Sequence, residues 1–223
     1  MKFFALVPSK LNSVRLREKN IQELGGKPLV NYVLNTLNSL DDVESIVLQS
    51  SSHQIKAYVE SNIDKLEFQK RPTELDSDST LAQDFIRYFC ENYECDYVIL
   101  LHITSPFLAK ETVQQCITAI KSKTFDSSFA AIKYQNFAWY KDKPLNYNPY
   151  KPIPRTQDLE PIILEQTGFY IFNREDFLRT NSRIGRRPFI KVLEFPENID
   201  IDTMEDLNLA RFVMKSGIYG VDI

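Results

Sequence analysis

Two groups of residues in this chain could do chemistry, and they lie at its opposite ends. Near the start, Lys10, Arg15, Arg17 and Lys19 are set among Ser9, Asn12 and Ser13, directly after an apolar run over residues 3–7 that closes at Pro8. A loop of short hydroxyls, free backbone N–H groups and cations that follows a buried strand is suited to hold a polyanion. Charge alone fits a solvated basic loop equally well. Near the end, Asp200 and Asp202 flank Ile201, and in an extended segment residues two apart point to the same side. Carboxylates at that spacing suit Mg²⁺, which takes a few of them together with phosphate oxygens and water. Taken alone, such a pair is more often a helix cap or a surface feature.

The wording around these residues is more specific than their charge. Pro8-Ser9-Lys10, Ser13, Arg15-Leu16 and Lys19-Asn20, followed by Leu24-Gly25-Gly26-Lys27-Pro28-Leu29, resemble the nucleotide-binding signature of the CMP-ulosonic acid synthetases, the acylneuraminate cytidylyltransferase family. Asp200-Ile201-Asp202-Thr203, with Glu205-Asp206-Leu207, resembles the C-terminal signature of the same family. Three blocks between them are also similar to it: Arg71-Pro72 through Asp78, Leu100-Leu101-His102-Ile103-Thr104-Ser105-Pro106, and Arg155-Thr156-Gln157-Asp158-Leu159 with Glu165 before Gly168-Phe169-Tyr170. The blocks keep their order over nearly the whole chain and are weakest across residues 134–154. There are departures. Ser9-Lys10 replaces an Ala-Arg pair, and Lys lacks the planar fork of Arg. His102 stands where Gln is usual, and residues 49–53 hold no Asp where many members carry one. These differences mark a divergent branch.

The resemblance implies a nucleotidyltransferase that moves CMP from CTP to a sialic-type or related 3-deoxy-ulosonic acid and releases pyrophosphate, in surface polysaccharide or glycoconjugate synthesis. It assigns CTP to Pro8, Ser9, Lys10, Asn12, Ser13, Arg15, Lys19, Arg71 and Asp78, and Mg²⁺ to Asp200 and Asp202. Lys19, Arg15 and Asp202 take the catalytic roles. His102, Thr104, Ser105, Arg155, Gln157, Glu165 and Tyr170 face the sugar acid, with Arg155 placed to clamp a carboxylate bidentately. Three other readings stay open: activation by CTP of a different acid or a phosphonate, a nucleotide-sugar glycosyltransferase using the D-x-D, and a non-catalytic nucleotide-binding homologue. No G-x-S-x-G and no G-x-x-x-x-G-K-[ST] is present, which removes the nucleophile-elbow hydrolases and P-loop enzymes.

The elements that must position these residues follow from the apolar pattern. Short continuous apolar runs at residues 3–7, 46–48 and 97–101, with a further strand expected at 66–69, alternate with stretches of helical spacing, the first opening at Pro28 with Leu29, Val33, Leu34 and Leu37. Ser51 and Ser52 precede a helix through Ile55 and Val59, and Thr80 opens one with Leu81, Phe85, Tyr88 and Phe89 on one side. Apolar rather than alternating strands predict a parallel sheet covered on both faces, with ligands beyond the carboxyl ends of the strands where strand order reverses. A reversal between the first strand and residues 97–101 would bring the basic loop beside Thr104-Ser105-Pro106. The fold class expected is therefore α/β, and the family resemblance implies a Rossmann-like, three-layer nucleotidyltransferase fold with a mostly parallel central sheet. Residues 1–223 are expected to form one domain. The stretch at about 134–160, rich in Tyr, Asn, Lys and Pro and holding Trp139, reads as a β-excursion for dimerisation or acceptor contact.

Bulk properties agree with that class. An apolar share of 43% and a charged share of 26% suit a globular domain, and a net charge of -3 argues against a nucleic-acid binder. Cys90, Cys95 and Cys116 make an odd count without C-x-x-C spacing, so free thiols in a reducing cytoplasm are expected rather than disulfides or zinc. No apolar stretch is long enough for a membrane span. The partners expected are CTP, a small acidic sugar and a second copy of the chain, with no nucleic acid and no membrane.

Overall fold

The structure, a computed structural model, describes residues 1–13 and 15–217; the rest of the 1–223 span expected to form one domain lies outside the described residues. In chain order the strands are β1 (Phe3–Pro8), β2 (Glu23–Leu24), β3 (Lys27–Pro28), β4 (Val43–Ser50), β5 (Leu66–Lys70), β6 (Tyr97–Leu101), β7 (Ser127–Tyr134), β8 (Trp139–Tyr140), β9 (Lys143–Pro144), β10 (Ile162–Asn173) and β11 (Pro188–Val192). The helices are α1 (Leu29–Asn38), α2 (Ala82–Asn92), α3 (Lys110–Lys121), α4 (Arg174–Thr180) and α5 (Met204–Ser216). Seven strands form one sheet in the order β11-β7-β10-β6-β1-β4-β5. β10 runs antiparallel to both neighbours and the other pairings are parallel. This is the mostly parallel α/β sheet that the apolar runs predict.

β1 shows why. Its side chains alternate between two cores: Phe3, Ala5 and Val7 pack with α1, α3 and α5, while Phe4 and Leu6 pack with Ile86, Phe89 and Cys90 of α2 and Phe177 of α4. A strand buried on both faces needs an apolar residue at every position, which is why residues 3–7 read as a continuous run. β1 lies between β6 and β4, so the chain leaves the first strand to one side and later returns on the other. At that reversal two loops leave the sheet in opposite directions and open a crevice.

Local differences from the sequence reading have plain causes. Pro28 ends β3 and stands one residue before α1, because Gly25 and Gly26, both at positive φ, fold residues 23–28 into a hairpin first. The stretch after Ser52 is a 3₁₀ turn (His53–Tyr58), capped by the Ser52 hydroxyl accepting from the Gln54 N–H. α2 starts at Ala82 rather than Thr80; its buried face is Ile86, Phe89 and Cys90, and Leu81 is 63% exposed at the cap position. The excursion forms the small β8–β9 hairpin and a 3₁₀ turn (Thr156–Asp158), and it carries Tyr134, Trp139, Tyr140, Leu145, Tyr150 and Ile153 on its surface. Cys90 and Cys116 are buried and Cys95 is half-buried, all three as free thiols. No helix among the described residues is long and apolar enough to cross a membrane.

The C-terminal carboxylates are set by the start of α5. Thr203 and Asp206 form a capping box: the Thr203 hydroxyl accepts from the Asp206 N–H at 3.3 Å, and Asp206 Oδ2 accepts from the Thr203 N–H at 2.8 Å. The same oxygen accepts from the Asp202 N–H at 3.1 Å, and the Ile201 N–H donates to the Thr104 carbonyl at 2.8 Å. With the Ile201 side chain fully buried, the segment is anchored by backbone and core. Thr203→Ala is expected to cost about 1 kcal/mol of stability, read as a lower urea midpoint at unchanged slope; an unmoved midpoint would show that the cap holds nothing.

Candidate active site

The crevice at the carboxyl ends of β1 and β6 is a cavity of about 490 Å³. Its wall takes Pro8, Ser9, Lys10, Ser13, Arg15 and Lys19 from the loop after β1, and Arg71 and Asp78 from the segment after β5. His102 and Thr104 after β6, together with Asp202 before α5, close it. Chain ends meet here. Lys19 Nζ lies 2.8 Å from Asp202 Oδ1 and Arg15 Nη1 lies 2.8 Å from Asp202 Oδ2. Lys10 Nζ pairs with Asp78 Oδ1 at 3.3 Å. Exposed or half-exposed ion pairs contribute about 0–1 kcal/mol, so convergence of two cations on one carboxylate points to electrostatic work in the cavity more than to stability.

Much of the loop after β1 is held by hydrogen bonds of its neutral groups, while its cations pair with carboxylates at the cavity. Ser9 is buried; its N–H donates to the Gln49 carbonyl at 2.8 Å and its hydroxyl accepts from Asn20 Nδ2 at 3.1 Å. Asn20 Nδ2 also donates to the Lys10 carbonyl at 3.0 Å, and Glu18 adopts a left-handed φ of 53° just before Lys19. Arg71, almost fully buried, spends its fork on the protein. It donates to Asp76 Oδ1 (2.6 and 2.9 Å), Gln49 Oε1 (3.1 Å) and the Ser9 carbonyl (3.1 Å). Asp76 accepts from the Ser51 hydroxyl as well.

Beyond His102 the residues change from charged to neutral. The His102 N–H donates to the Gly168 carbonyl at 2.8 Å, and Ser105 is buried so closely against Gly168 that a Cβ there would come within 1.9 Å of Ser105 Oγ. His102 Nε2, Ser105 Oγ and both polar atoms of the Gln166 amide are buried without hydrogen-bond partners. Buried polar groups are nearly always paired, so this concentration is unspent binding capacity beside the cavity. Tyr170 is fully buried and its hydroxyl donates to Glu165 Oε1.

Some expected site residues stand apart. Asn12 is exposed and outside the cavity wall. Arg155 and Gln157 lie on an exposed turn, and the Arg155 fork is already filled by Asp158 (2.7 and 3.0 Å). Ser105, Glu165 and Tyr170 are behind the wall rather than on it. Conversely, Asn20, Leu75, Thr80 and Phe85 line the cavity without having been singled out for it; only Asn20 had a local signal, its place after Lys19. Asp200 Oδ1 is buried without a hydrogen-bond partner, and burial, then the nearby Asp202 charge, push its carboxyl up against an opposing hydrogen bond from Thr104. No group of three or more His, Cys, Asp or Glu is arranged for a metal among the described residues. Asp200 lies behind the cavity wall that Asp202 is on; its orphaned oxygen and the Asp202 carboxylate are hard oxygen donors of the kind Mg²⁺ takes together with phosphate oxygens and water.

Comparison with known proteins adds the chemistry of relatives. A profile described as cytidylyltransferase matches residues 4–217. An N-acylneuraminate cytidylyltransferase of Oncorhynchus mykiss is 27% identical over 229 residues, covering 98% of this chain and 52% of the relative, so the chain spans about half the length of that protein. A pseudaminic acid cytidylyltransferase of Campylobacter jejuni is 27% identical over 230 residues, covering 96% of this chain and 97% of the relative. Among solved structures, a CMP:2-keto-3-deoxy-manno-octonic acid synthetase complexed with CTP superimposes with a TM-score of 0.71 at 16% identity, covering 98% of this chain and all of that one (100%). A 4-diphosphocytidyl-2C-methyl-D-erythritol synthase of Anaerococcus prevotii does so with 0.67 at 16% identity, covering 96% of each chain. These two show a shared fold.

His102 yields a test that is independent of ligand. Burial, then the charges of Arg183 and Lys19, pull its pKa down to about 4, against the Asp202 charge. The imidazole is therefore neutral at pH 7 and becomes protonated first in the unfolded chain, whose histidine titrates near 6.5. Stability from this group is fully present above about pH 6.5 and is lost as pH falls through about 4, on the order of 3 kcal/mol in all. Urea unfolding between pH 7 and 4 should show a shallower acid loss for His102→Gln than for the wild type; equal slopes would remove the assignment.

Proposed function

The chain belongs to the cytidylyltransferase family, and on that premise we propose that it transfers CMP from CTP to a sialic-type or related 3-deoxy-ulosonic acid with release of pyrophosphate. The observation that carries this reading is the meeting of Arg15 and Lys19 on Asp202 inside a cavity at the strand ends. In the reaction, the anomeric hydroxyl of the acid attacks the α-phosphorus of CTP, a new P–O bond forms, and the bond to the β-phosphate bridging oxygen breaks. Lys10, Arg15 and Lys19 bind the triphosphate and draw off the charge that grows on the leaving pyrophosphate, with the Ser13 hydroxyl as a further donor. Pro8, Ser9, Arg71 and Asp78 shape the nucleotide side, and Asn12 serves the same loop from its edge. Asp200 and Asp202 would hold Mg²⁺, which supplies charge neutralisation at phosphate oxygens when bound. Asp202 meanwhile keeps Arg15 and Lys19 oriented into the cavity until the triphosphate competes for them.

The acceptor side is assigned to His102, Thr104, Ser105, Glu165 and Tyr170, with Arg155 and Gln157 reaching it from the excursion. A neutral His102 offers one donor or acceptor nitrogen to a sugar substituent where Gln is usual. We also read residues 1–223 as one cytidylyltransferase domain that works in the cytoplasm as a homodimer. The exposed aromatic and aliphatic side chains of about 134–160 support that partner surface, since scattered apolar residues become informative when they share one segment.

The reading is tested by pyrophosphate release with CTP and Mg²⁺ against a panel of 3-deoxy-ulosonic acids, with ATP, GTP and UTP as controls. CTP-specific release with one acid is expected; CTP binding without release would favour another acceptor or a non-catalytic homologue, and a requirement for a nucleotide-sugar would indicate a glycosyltransferase. Lys19→Ala is expected to lower kcat by about 10²–10³-fold. Asp202→Asn should be at least as damaging while its unfolding free energy moves by less than about 1 kcal/mol. Unchanged turnover in Asp202→Asn would defeat the assignment. For assembly, light scattering after size exclusion should give twice the 26.0 kDa chain mass, and a strict monomer would remove the dimer.

A further inference from the structure

Arg183 lies on the loop between α4 and β11, in none of the motifs. Its guanidinium carbon is 3.9 Å from the centroid of the Tyr170 ring, and Nη2 is 3.3 Å from Glu165 Oε1, the oxygen that also accepts the Tyr170 hydroxyl. Burial and the bond to Glu165 push the Tyr170 phenol up, so it stays a donor. The platform is rigid because the Tyr170 ring is fully buried, and stacking on an aromatic face fixes the plane of a guanidinium. Among the described residues, the Glu165 oxygen is the only hydrogen-bond acceptor Arg183 meets; its other N–H groups are unused. Neither residue is on the cavity wall, but both heads reach solvent, with side chains 25% exposed for Arg183 and 41% for Glu165.

The pair sits where β10 runs past the carboxyl end of β6, since Phe169 pairs with Leu101. β10 bulges between Glu165 and Tyr170, and in that bulge the Gly168 carbonyl holds the His102 N–H. Arg183 and Lys19 both lower the His102 pKa, so both cations are within electrostatic reach of the imidazole. A guanidinium already matched by a carboxylate carries little net charge for an anion. It offers instead a donor and an acceptor side by side, the pattern met by neighbouring hydroxyls, each of which can accept one hydrogen bond and donate another. The unpartnered Ser105 and Gln166 groups next to it are neutral as well.

We propose that Arg183 and Glu165 form a subsite for neutral vicinal hydroxyls on the carbon skeleton of the acceptor, and that Arg183 is a specificity-determining residue. This rests on the cytidylyltransferase reading. It separates two tasks: the cations after β1 meet phosphate, and a charge-balanced pair selects the polyol end of the acid. A subsite built to hydrogen-bond a hydroxyl rejects an analogue without it, because its own polar groups are left unpaired.

The test uses the full chain and two measurements, pyrophosphate release and calorimetric binding of acid in the presence of CTP without Mg²⁺. The probes are N-acetylneuraminic acid, other 3-deoxy-ulosonic acids with intact polyol tails, and the same acids with the tail shortened by periodate. The wild type is expected to bind an intact acid about tenfold or more tighter than its shortened form. Arg183→Ala should lose that preference while CTP affinity stays within about twofold. Glu165→Gln should lose it too and serves if Arg183→Ala does not fold. Retained preference in both variants, equal loss of CTP binding, or no binding of any acid would overturn the subsite. Selective binding without pyrophosphate release would sink the parent reading and leave the subsite standing. Release that continues with an unchanged preference in the variants would do the reverse.

Discussion

Asp202 joins the first loop of the chain to its last helix, and the candidate site depends on that junction. The carboxylate meets Lys19 across 183 positions of sequence and Arg15 beside it. Neither bond is worth much as stability, so the fold does not need it. The fold instead delivers both partners independently. Lys19 arrives because β1 is buried on both faces and ends where the sheet reverses. Asp202 arrives because Ile201 is locked in the core and its N–H bonds the loop after β6. Two separately anchored segments thus bring opposite charges to one point, which is the condition for preorganised electrostatics.

Much of this was legible before any coordinates. Residues 3–7 and 97–101 had to be two-face-buried strands because every position is apolar, and parallel order with a reversal between them followed from general sheet rules. The D-x-D before α5 was also plain in the residues. What stayed hidden depends on distance in sequence. Arg183 reaches Tyr170 and Glu165 from a loop without periodicity, so nothing local marks it. Asp76 meets Ser51 only because β5 lies beside β4 and its outgoing turn folds back. Arg155 was legible as a residue type in a motif, but its engagement with Asp158 depends on a 3₁₀ turn of three residues (Thr156–Asp158) that spacing does not reveal.

β10 does two jobs that are usually given to different strands. Residues 169–173 pair with β6 in the core, while residues 162–165 pair with the outer end of β7. The bulge between these halves carries Gln166 and Gly168 against His102 and Ser105. The only antiparallel strand of the sheet therefore links the exposed excursion to the neutral end of the cavity.

The loop that carries Arg183 is fastened by its backbone. Asp126 accepts from the N–H groups of Arg186 and Arg187, at 3.0–3.1 Å, and Ser127 Oγ accepts from the Gly185 N–H at 2.8 Å. Bonds to main-chain N–H groups do not depend on which side chains the neighbouring residues carry. Position 183 can therefore change its residue type without loosening the loop or the sheet beneath it. On the proposed reading, a fold built this way lets acceptor preference shift by single substitutions at that loop while the loop after β1 stays unchanged.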